Sequence, residues 1–500
     1  MTDEPPAPPG DRSEQEQVRR GKRERLLGSG EDPYPVAVPR THTLRELRAA
    51  YDDADLGAGA ETGDDVAVTG RVIFLRDTGR LCFARLREGD GTEVQVMVSL
   101  AEVGQERLDA FKALVDIGDH VGVSGQVVTS RRGELSVQAR SWRMAAKALR
   151  PLPNEHAPLS DEARVRLRYL DMVVRPDARQ AVRDRATVLR ALRATLDGRG
   201  FVEVETPVLQ LTNGGAAARP FRTHLNTFDQ EMLLRIALEL DLKRALVGGV
   251  DLVYEIGRTF RNEGVDSTHN VEFTMLEAYQ AYGDYETMMG LTRDLVLASA
   301  RALGTTVVPG RAGREIDLEG EWRRASLLDL VSEAVGDEVS VDTAVETLRG
   351  HAETHAVEVD PAWSGPEVLV ELYEQLVEDS LVLPTFVCDY PEAVKPLAKA
   401  HRTAPGLVEA FDLVVDGVEL VTAYSELNDP VVQRLRLEDQ ARLAAGALAA
   451  NDVDEVFLRA LEHGMPPAGG MGMGVDRLLM LLSGTGIREA ILFPLLRPEA

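Results

Sequence analysis

Between Val66 and Ala146 apolar and polar positions alternate in short runs. VAVTGRVIFL, LCFARLRE, EVQVMVS, HVGVSGQVV and ELSVQARSW each read as strands of period two. Turn signals separate them at Asp77-Thr78-Gly79, Gly89-Asp90-Gly91 and Arg131-Arg132-Gly133. Between the third and fourth runs, QERLDAFKALV (Gln105 to Val115) carries a helical repeat. Five strands with a helix after the third is the order of an OB-fold, a barrel that commonly binds oligonucleotides. A small barrel with no nucleic-acid role has the same pattern. Leu149-Arg150-Pro151-Leu152-Pro153-Asn154 then breaks the alternation and reads as a linker.

The pattern beyond the linker is longer and mixed. Val182, Ala186, Leu189, Leu192 and Leu196 recur at helical spacing with arginines on the other face, and Gly198 and Gly200 end that helix. FVEVETPVL (Phe201 to Leu209) alternates as a strand until Pro207 interrupts it. Residues 310–385 are acidic, partly helical and poor in chemistry-bearing motifs, the mark of an insertion in a larger domain. At the other end, a Pro- and acid-rich stretch leads into a basic cluster at Arg19, Arg20, Lys22, Arg23 and Arg25. Composition reads this stretch as a solvated tail, stopped at Asp32-Pro33-Tyr34-Pro35. The expected division is 1–58 extension, 59–150 barrel and 151–500 larger α/β domain.

Composition narrows the class. The 500 residues allow two to four domains, and 44% apolar with 28% charged residues is ordinary for a soluble globular protein. No run reaches the ~18 apolar residues that span a bilayer, and MTDEPPAPPGDRSEQEQ is no signal peptide, so a cytoplasmic protein without a membrane partner is expected. Two cysteines, Cys82 and Cys388, exclude a disulfide framework or a Cys-rich metal site. A net charge of −26 argues against wholesale electrostatic binding of nucleic acid but leaves room for a local basic face.

Three segments carry candidate chemistry. Arg261-Asn262-Glu263-Gly264 follows YEIGRTF, and His269-Asn270-Val271-Glu272-Phe273-Thr274 follows a short polar loop. Arg can pair with a phosphate and Phe can stack on a base, so the two strands could cradle a nucleotide; a structural Arg–Glu pair is the other reading. Near the C-terminus, Gly469-Gly470-Met471-Gly472-Met473-Gly474-Val475-Asp476-Arg477 precedes an apolar run. Alternate glycines allow close approach of a ligand or tight packing, and Arg477 opens a helix where a phosphate is welcome. In FDLVVDGVELVTAYSELND the turn Asp416-Gly417 would fold Asp412 and Glu419 together, and hard carboxylates suit Mg²⁺ carried by a nucleotide triphosphate. Glu426, in a more apolar neighbourhood, calls for a cationic partner or ligand; an internal salt bridge would also serve.

GFVEVETPVL, YEIGRTFRNEGVDSTHNVEFTMLEAY and GGMGMGVDRLLMLLSGTGIREAILFPLLRP together resemble the three signature motifs of class II aminoacyl-tRNA synthetases. With TNGGAAARPF, LRIALELDLKR and AYSELND the chain is similar to the lysyl-tRNA synthetase family from about residue 60 onward. It most resembles the actinobacterial type, without the fused membrane domain. The resemblance implies an α+β protein: an N-terminal OB-fold β-barrel, then a class II catalytic domain built on an antiparallel sheet flanked by helices. It implies ATP-dependent activation of L-lysine to lysyl-adenylate, several Mg²⁺ ions with ATP, transfer to tRNA(Lys), and a homodimer with Pro207 at its interface.

Residue by residue, the resemblance implies that Arg261 binds the α-phosphate and the amino-acid carboxylate. Glu263, His269 and Phe273 would hold adenine and the outer phosphates, Arg477 would grip the γ-phosphate, and Asp412 and Glu419 would carry Mg²⁺. Gly215 and Glu239 would meet the α-amino group; Glu277, Tyr279 and Glu426 the ε-ammonium, with Thr422 and Tyr424 also lining the amino-acid pocket. Phe83 would stack on an anticodon base while Gln95 and Glu134 read bases, and the basic cluster would be a helix touching tRNA. Departures fall around the amino-acid site. Leu238 and Val271 replace usual prolines, Asp241 a Tyr, Lys395 a common Ser, Thr422 an Asn of many members, and Val421 a Gly. Val421 would either line the pocket and alter its specificity or point into the core. The alternative function is a paralogue that activates lysine or a related amino acid for a non-tRNA acceptor, against which the anticodon barrel argues. A catalytically silent tRNA-binding protein is a third reading, opposed by Arg261, Arg477, Asp412 and Glu419.

Overall fold

The computed structural model describes residues 13–51, 56–153, 159–212, 214–216, 218–266, 268–444 and 453–496. The first twelve residues of the acidic tail, Asn154 of the linker, and Asn213, Ala217 and Ser267 of the motifs lie outside the described residues. The chain forms two compact units, Met1–Arg179 and Gln180–Ala500.

In the first unit, helix α1 (Glu14–Gly28) precedes strands β1 (Glu61–Asp77), β2 (Leu81–Arg87) and β3 (Glu93–Ser99), helix α2 (Leu100–Leu114), and strands β4 (His120–Thr129) and β5 (Leu135–Ala146). The strands close into a barrel in the order β1-β2-β3-β5-β4, as the alternation predicts. Cys82, Ala84 and Leu86 on β2 and Val94, Val96 and Val98 on β3 fill the interior, which leaves Phe83, Arg85 and Gln95 outside. The basic cluster is not a solvated tail. Arg19, Lys22 and Leu26 share one face of α1, at i, i+3 and i+7, and that face docks on the barrel. Arg19 is buried and donates to the carbonyls of Ile117 (2.9 Å) and Ala148 (3.1 Å), while Lys22 Nζ meets Asp116 Oδ1 at 2.6 Å.

The second unit begins essentially with helix α3 (Pro176–Gly198) and strand β6 (Val202–Glu203). Helix α4 (Glu239–Val247), strands β7 (Leu252–Phe260) and β8 (Glu272–Ala281) and helix α5 (Tyr285–Ala302) follow. Strand β9 (Arg323–Ser326), helix α6 (Gly365–Leu376) and strand β10 (Thr385–Pro391) come from the region read as an insertion. A hairpin of β11 (Leu407–Val415) and β12 (Val418–Ser425), strand β13 (Ala468–Gly474) and helix α7 (Val475–Ser483) complete the frame. Eight strands form one sheet in the order β9-β10-β11-β12-β13-β8-β7-β6. The pairings are antiparallel except at the two edges, β9 with β10 and β6 with β7. One apolar core lies on a single face of this sheet, with α5 and the C-terminal half of α3 packed over it.

Two expectations change here. The inward stripe of α3 is Val188, Leu192 and Leu196, whereas Val182 and Ala186 are exposed, because only the later turns of α3 reach the core. The strand expected over Phe201 to Leu209 is broken: Val202–Glu203 pairs with β7 in the large sheet, and Leu209 pairs with Leu234 in a separate small sheet. Between the two, Thr206 turns both its amide (3.0 Å) and its hydroxyl (2.6 Å) to Glu255 Oε2, and Pro207 has no N–H to offer a ladder. Among the described residues no helix is long and apolar enough to cross a membrane.

Candidate active site

Alternation sends every second side chain of the central strands to the face opposite the core. On β8, Phe273, Met275, Glu277 and Tyr279 line a cavity of about 720 Å³, while Leu276 and Ala278 enter the core. On and just past β12, Thr422, Tyr424 and Glu426 face the same cavity, and Val421 and Ala423 face the core. Glu419 would fall on the core side by simple parity. A bulge at Leu420 prevents this: Val414 pairs with Glu419, but Leu413 pairs with Val421. The extra residue shifts the phase by one and turns Glu419 toward the cavity beside Asp412. The two-residue turn Asp416-Gly417, with φ of 52° and 66°, closes this hairpin as the sequence predicts. The alternate glycines of β13 make room for neighbouring side chains. A Cβ on Gly470 would stand 2.1 Å from Glu426 Oε1 and 2.4 Å from Tyr279 Cε1.

At one end of the cavity three carboxylates gather around a single ammonium. Glu239, Glu277 and Glu426 are 6%, 4% and 1% exposed, and Lys243 is fully buried among them. Lys243 Nζ donates to Glu239 Oε1 at 2.5 Å and lies 2.5 Å from Glu426 Oε2. The same ammonium therefore serves two buried carboxylates. Glu277 accepts from the Leu238 amide and the Tyr279 hydroxyl, both at 2.9 Å. Burial, then the charge of Glu239, pushes the Glu277 carboxyl up to about 7. Burial pushes Glu426 up to about 8, with Glu239 and Glu277 adding to it and Lys243 opposing. This cage holds more negative charge than one lysine balances. Gly215, at φ 86°, passes so close that a Cβ would stand 3.2 Å from Glu239 Cβ.

The other end is cationic on one wall and acidic on the next. The Arg261 guanidinium lies 5.2 Å from the Phe273 ring centroid, and Arg261 Nε donates to the Ile236 carbonyl at 3.4 Å. Burial draws its pKa down, against the raising pull of Glu263, Glu419 and Glu277. Arg477, in the first turn of α7, donates to the Glu419 carbonyl at 2.8 Å and keeps Nη2 3.1 Å from His269 Nε2. Its neighbour Asp476 braces the helix start by accepting from the Thr274 amide (2.7 Å) and Arg185 (2.5 Å). Glu263 and His269 are exposed on the loop beside them. Opposite, Lys395 Nζ reaches both oxygens of Asp412, at 3.1 and 3.0 Å. Burial alone would lower the Lys395 pKa, but the charge of Asp412 and its neighbours outweighs it and leaves the ammonium above its usual range.

The barrel carries a separate candidate surface on the outer face of β1, β2 and β3. Arg76 stacks on Phe83 at 4.9 Å and Arg85 on Phe74 at 6.0 Å, cross-strand pairs that alternate cation and ring. Gln95 Nε2 donates to Ser136 Oγ at 2.8 Å, and Glu134, two residues before Ser136, has its carboxylate 3.6 Å from Arg48. Rings and arginines so interleaved are what single-stranded bases stack on.

Residues 160–497 match the family described as tRNA synthetases class II (D, K and N), and residues 66–145 match the OB-fold nucleic acid binding domain. The chain is 56% identical to a lysine–tRNA ligase of Kineococcus radiotolerans, over 100% of both chains. It is 54% identical to the lysine–tRNA ligase of Mycolicibacterium gilvum, over 98% of this chain and 99% of the relative. The chain belongs to the class II lysyl-tRNA synthetases. It is also 47% identical to the lysylphosphatidylglycerol biosynthesis bifunctional protein LysX of Mycobacterium ulcerans, over 97% of this chain but only 44% of that protein.

Members of this synthetase family are ATP-dependent and generally need Mg²⁺. Glu419 fits such an ion: its side chain is 45% exposed toward the cavity, and one carboxylate with phosphate and water oxygens suffices for Mg²⁺. At Asp412 both oxygens are engaged by Lys395. All the residues that the resemblance marks for ATP and lysine border the one cavity. Sequence reasoning missed Lys243, although its i+4 spacing from Glu239 was a signal. It also missed Tyr373, Glu374 and Glu378, which the supposedly motif-poor insertion brings to the cavity wall, and for which no motif exists.

Proposed function

We propose that this synthetase activates L-lysine with ATP and transfers the lysyl group to tRNA(Lys) in the cytoplasm, as a homodimer. One observation carries the reading of the amino-acid site: three carboxylates are buried together with a single ammonium, Lys243, which pairs with only two of them, Glu239 and Glu426. Desolvated negative charge of this kind is relieved by a cationic ligand. Lysine brings its ε-ammonium to Glu426, Glu277 and Tyr279, beside Thr422 and Tyr424, and its α-ammonium to Glu239 and the Gly215 backbone. An amino acid with a neutral side chain would leave the cage uncompensated.

The reaction asks for positioned charge more than for proton transfer. A lysine carboxylate oxygen attacks the α-phosphorus, the bond to the bridging β-oxygen breaks, and pyrophosphate leaves with that electron pair. Arg261 holds the attacking carboxylate and the α-phosphate; Arg477 holds the outer phosphates. Phe273 stacks on adenine, with Glu263 and His269 beside it. Magnesium bound with ATP adds positive charge at the phosphates, and Glu419 would hold it. In the second step the terminal ribose hydroxyl of tRNA attacks the acyl carbon and AMP departs. Phe83, Gln95 and Glu134 would meet the anticodon, an arrangement of no use to a paralogue with a non-tRNA acceptor. Exposed Val202, Val208, Leu209, Leu211 and Phe228 around the first motif support a second copy of the chain as the partner there.

Charging of tRNA(Lys) with labelled lysine tests the whole reading. Lysyl-tRNA should accumulate with ATP consumption, and adenylate formed without transfer to tRNA would overturn the acceptor.

A further inference from the structure

At the phosphate end, Lys395 is provided with a full set of partners. Its Nζ lies 3.1 and 3.0 Å from the two oxygens of Asp412 and 3.4 Å from Thr422 Oγ1. The rings of Tyr390 and Tyr424 stand 4.5 and 5.8 Å from it. A carboxylate, a hydroxyl and two π faces are the coordination an ammonium seeks when water is withdrawn. Asp412 itself is 6% exposed on β11, with both oxygens on the Lys395 ammonium.

The surrounding charge explains why a cation is held there. Glu374 and Glu378, from α6 and the turn after it, line the same wall as Asp412 and Glu419. Burial, then the charges of Glu419, Glu374 and Asp412, pushes the Glu378 carboxyl up to about 7, so this wall is short of positive charge. Mg²⁺ would need a carboxylate oxygen at roughly 2.0–2.1 Å, which puts the ion against the ammonium that already holds Asp412.

We propose that Lys395 is the resident counter-cation of Asp412, a positioning residue that occupies the place a divalent ion would otherwise take. The chain then binds ATP with one divalent position fewer, the nucleotide-borne ion on the Glu419 side being retained. Lys395 also fixes Asp412 against Thr422, and so the floor between the phosphate end and the amino-acid cage, whether or not nucleotide is bound. This rests on the adenylation reading above.

Counting Mn²⁺ bound in the presence of α,β-methylene-ATP, from the loss of the free-ion EPR signal, tests it without turnover. Lys395→Ser removes the ammonium and leaves room for an ion, so it should gain about one nucleotide-dependent Mn²⁺ per site over the unaltered protein. Asp412→Asn in the unaltered background should leave the Mn²⁺ count unchanged, whereas the same change on top of Lys395→Ser should abolish the gain. Loss of a Mn²⁺ on Asp412→Asn alone would overturn the proposal, and this arm stands even if Lys395→Ser fails to fold. An equal count in the unaltered protein and a folded Lys395→Ser variant would overturn it too. No nucleotide-dependent Mn²⁺ in any of the proteins would strike the ATP reading itself, a different failure from a changed count.

Discussion

Replacing Glu426 by Gln keeps the shape of the cage and removes its most deeply buried charge. Glu426 is 1% exposed, its Oε2 touches Lys243 Nζ at 2.5 Å, and Gly470 leaves just the space its Oε1 fills. Lys243 keeps Glu239 as a partner after the change, so the unliganded fold survives. The ligand ammonium loses its countercharge. Truncating one side of a desolvated, hydrogen-bonded charge pair costs about 2–5 kcal/mol, or roughly 30- to 5,000-fold in kcat/KM for lysine. ATP, which does not reach this end, should keep its KM within about twofold. Steady-state pyrophosphate exchange with each substrate varied in turn measures both. If lysine kcat/KM fell by less than about tenfold, or if the ATP KM rose as much as the lysine KM, Glu426 would not be the specificity carboxylate.

Further outcomes follow from the same geometry. Glu277 at about 7 and Glu426 at about 8 stand above the ordinary 4.5, so the stability they contribute is present below that value and lost as pH rises through 7 to 8. Lysine, by supplying positive charge, should lower both and release about one proton at pH 7, measured as a buffer-dependent calorimetric enthalpy; proton uptake would contradict the charge-deficit picture. Val421 is 1% exposed in the core beneath the sheet, so Val421→Gly should cost about 2–4 kcal/mol of stability in thermal unfolding and leave lysine KM unchanged. Phe83→Ala should weaken tRNA charging by about 1–3 kcal/mol and spare pyrophosphate exchange; equal loss of both would make the barrel a mere support. Light scattering should give the mass of a dimer, and Leu211→Glu should shift it toward monomer.

The barrel was legible because its strands are half-buried and alternate cleanly, with Val94, Val96 and Val98 in and Gln95 out. So was the Asp412–Glu419 hairpin, since Asp416-Gly417 specifies a tight turn by itself. The phase within that hairpin was not: a bulge leaves no mark in FDLVVDGVELVTAYSELND, yet it decides that Glu419 faces the cavity and Val421 the core. An altered specificity through Val421 is therefore without support. FVEVETPVL misled because only Phe201 of its apolar residues enters the core; Val202, Val208 and Leu209 are 51%, 37% and 45% exposed. Glu426 called for a cation on burial grounds alone, but that Lys243 already meets it, and that Glu239 and Glu277 still leave a deficit, depends on packing between α4, β8 and the end of β12. The basic cluster looked solvated because its anchors, the Ile117 and Ala148 carbonyls and Asp116, lie about a hundred residues away in sequence.

The central claim, that the acidic cage selects lysine for adenylation, is tested most directly by amino-acid-dependent ATP–pyrophosphate exchange across the common amino acids with ornithine and β-lysine added. Lysine should give the highest kcat/KM. Ornithine, one methylene shorter, should fall about 1–3 kcal/mol behind, and neutral side chains should give no exchange above background. A higher kcat/KM for ornithine, β-lysine or any neutral amino acid than for lysine would contradict the account.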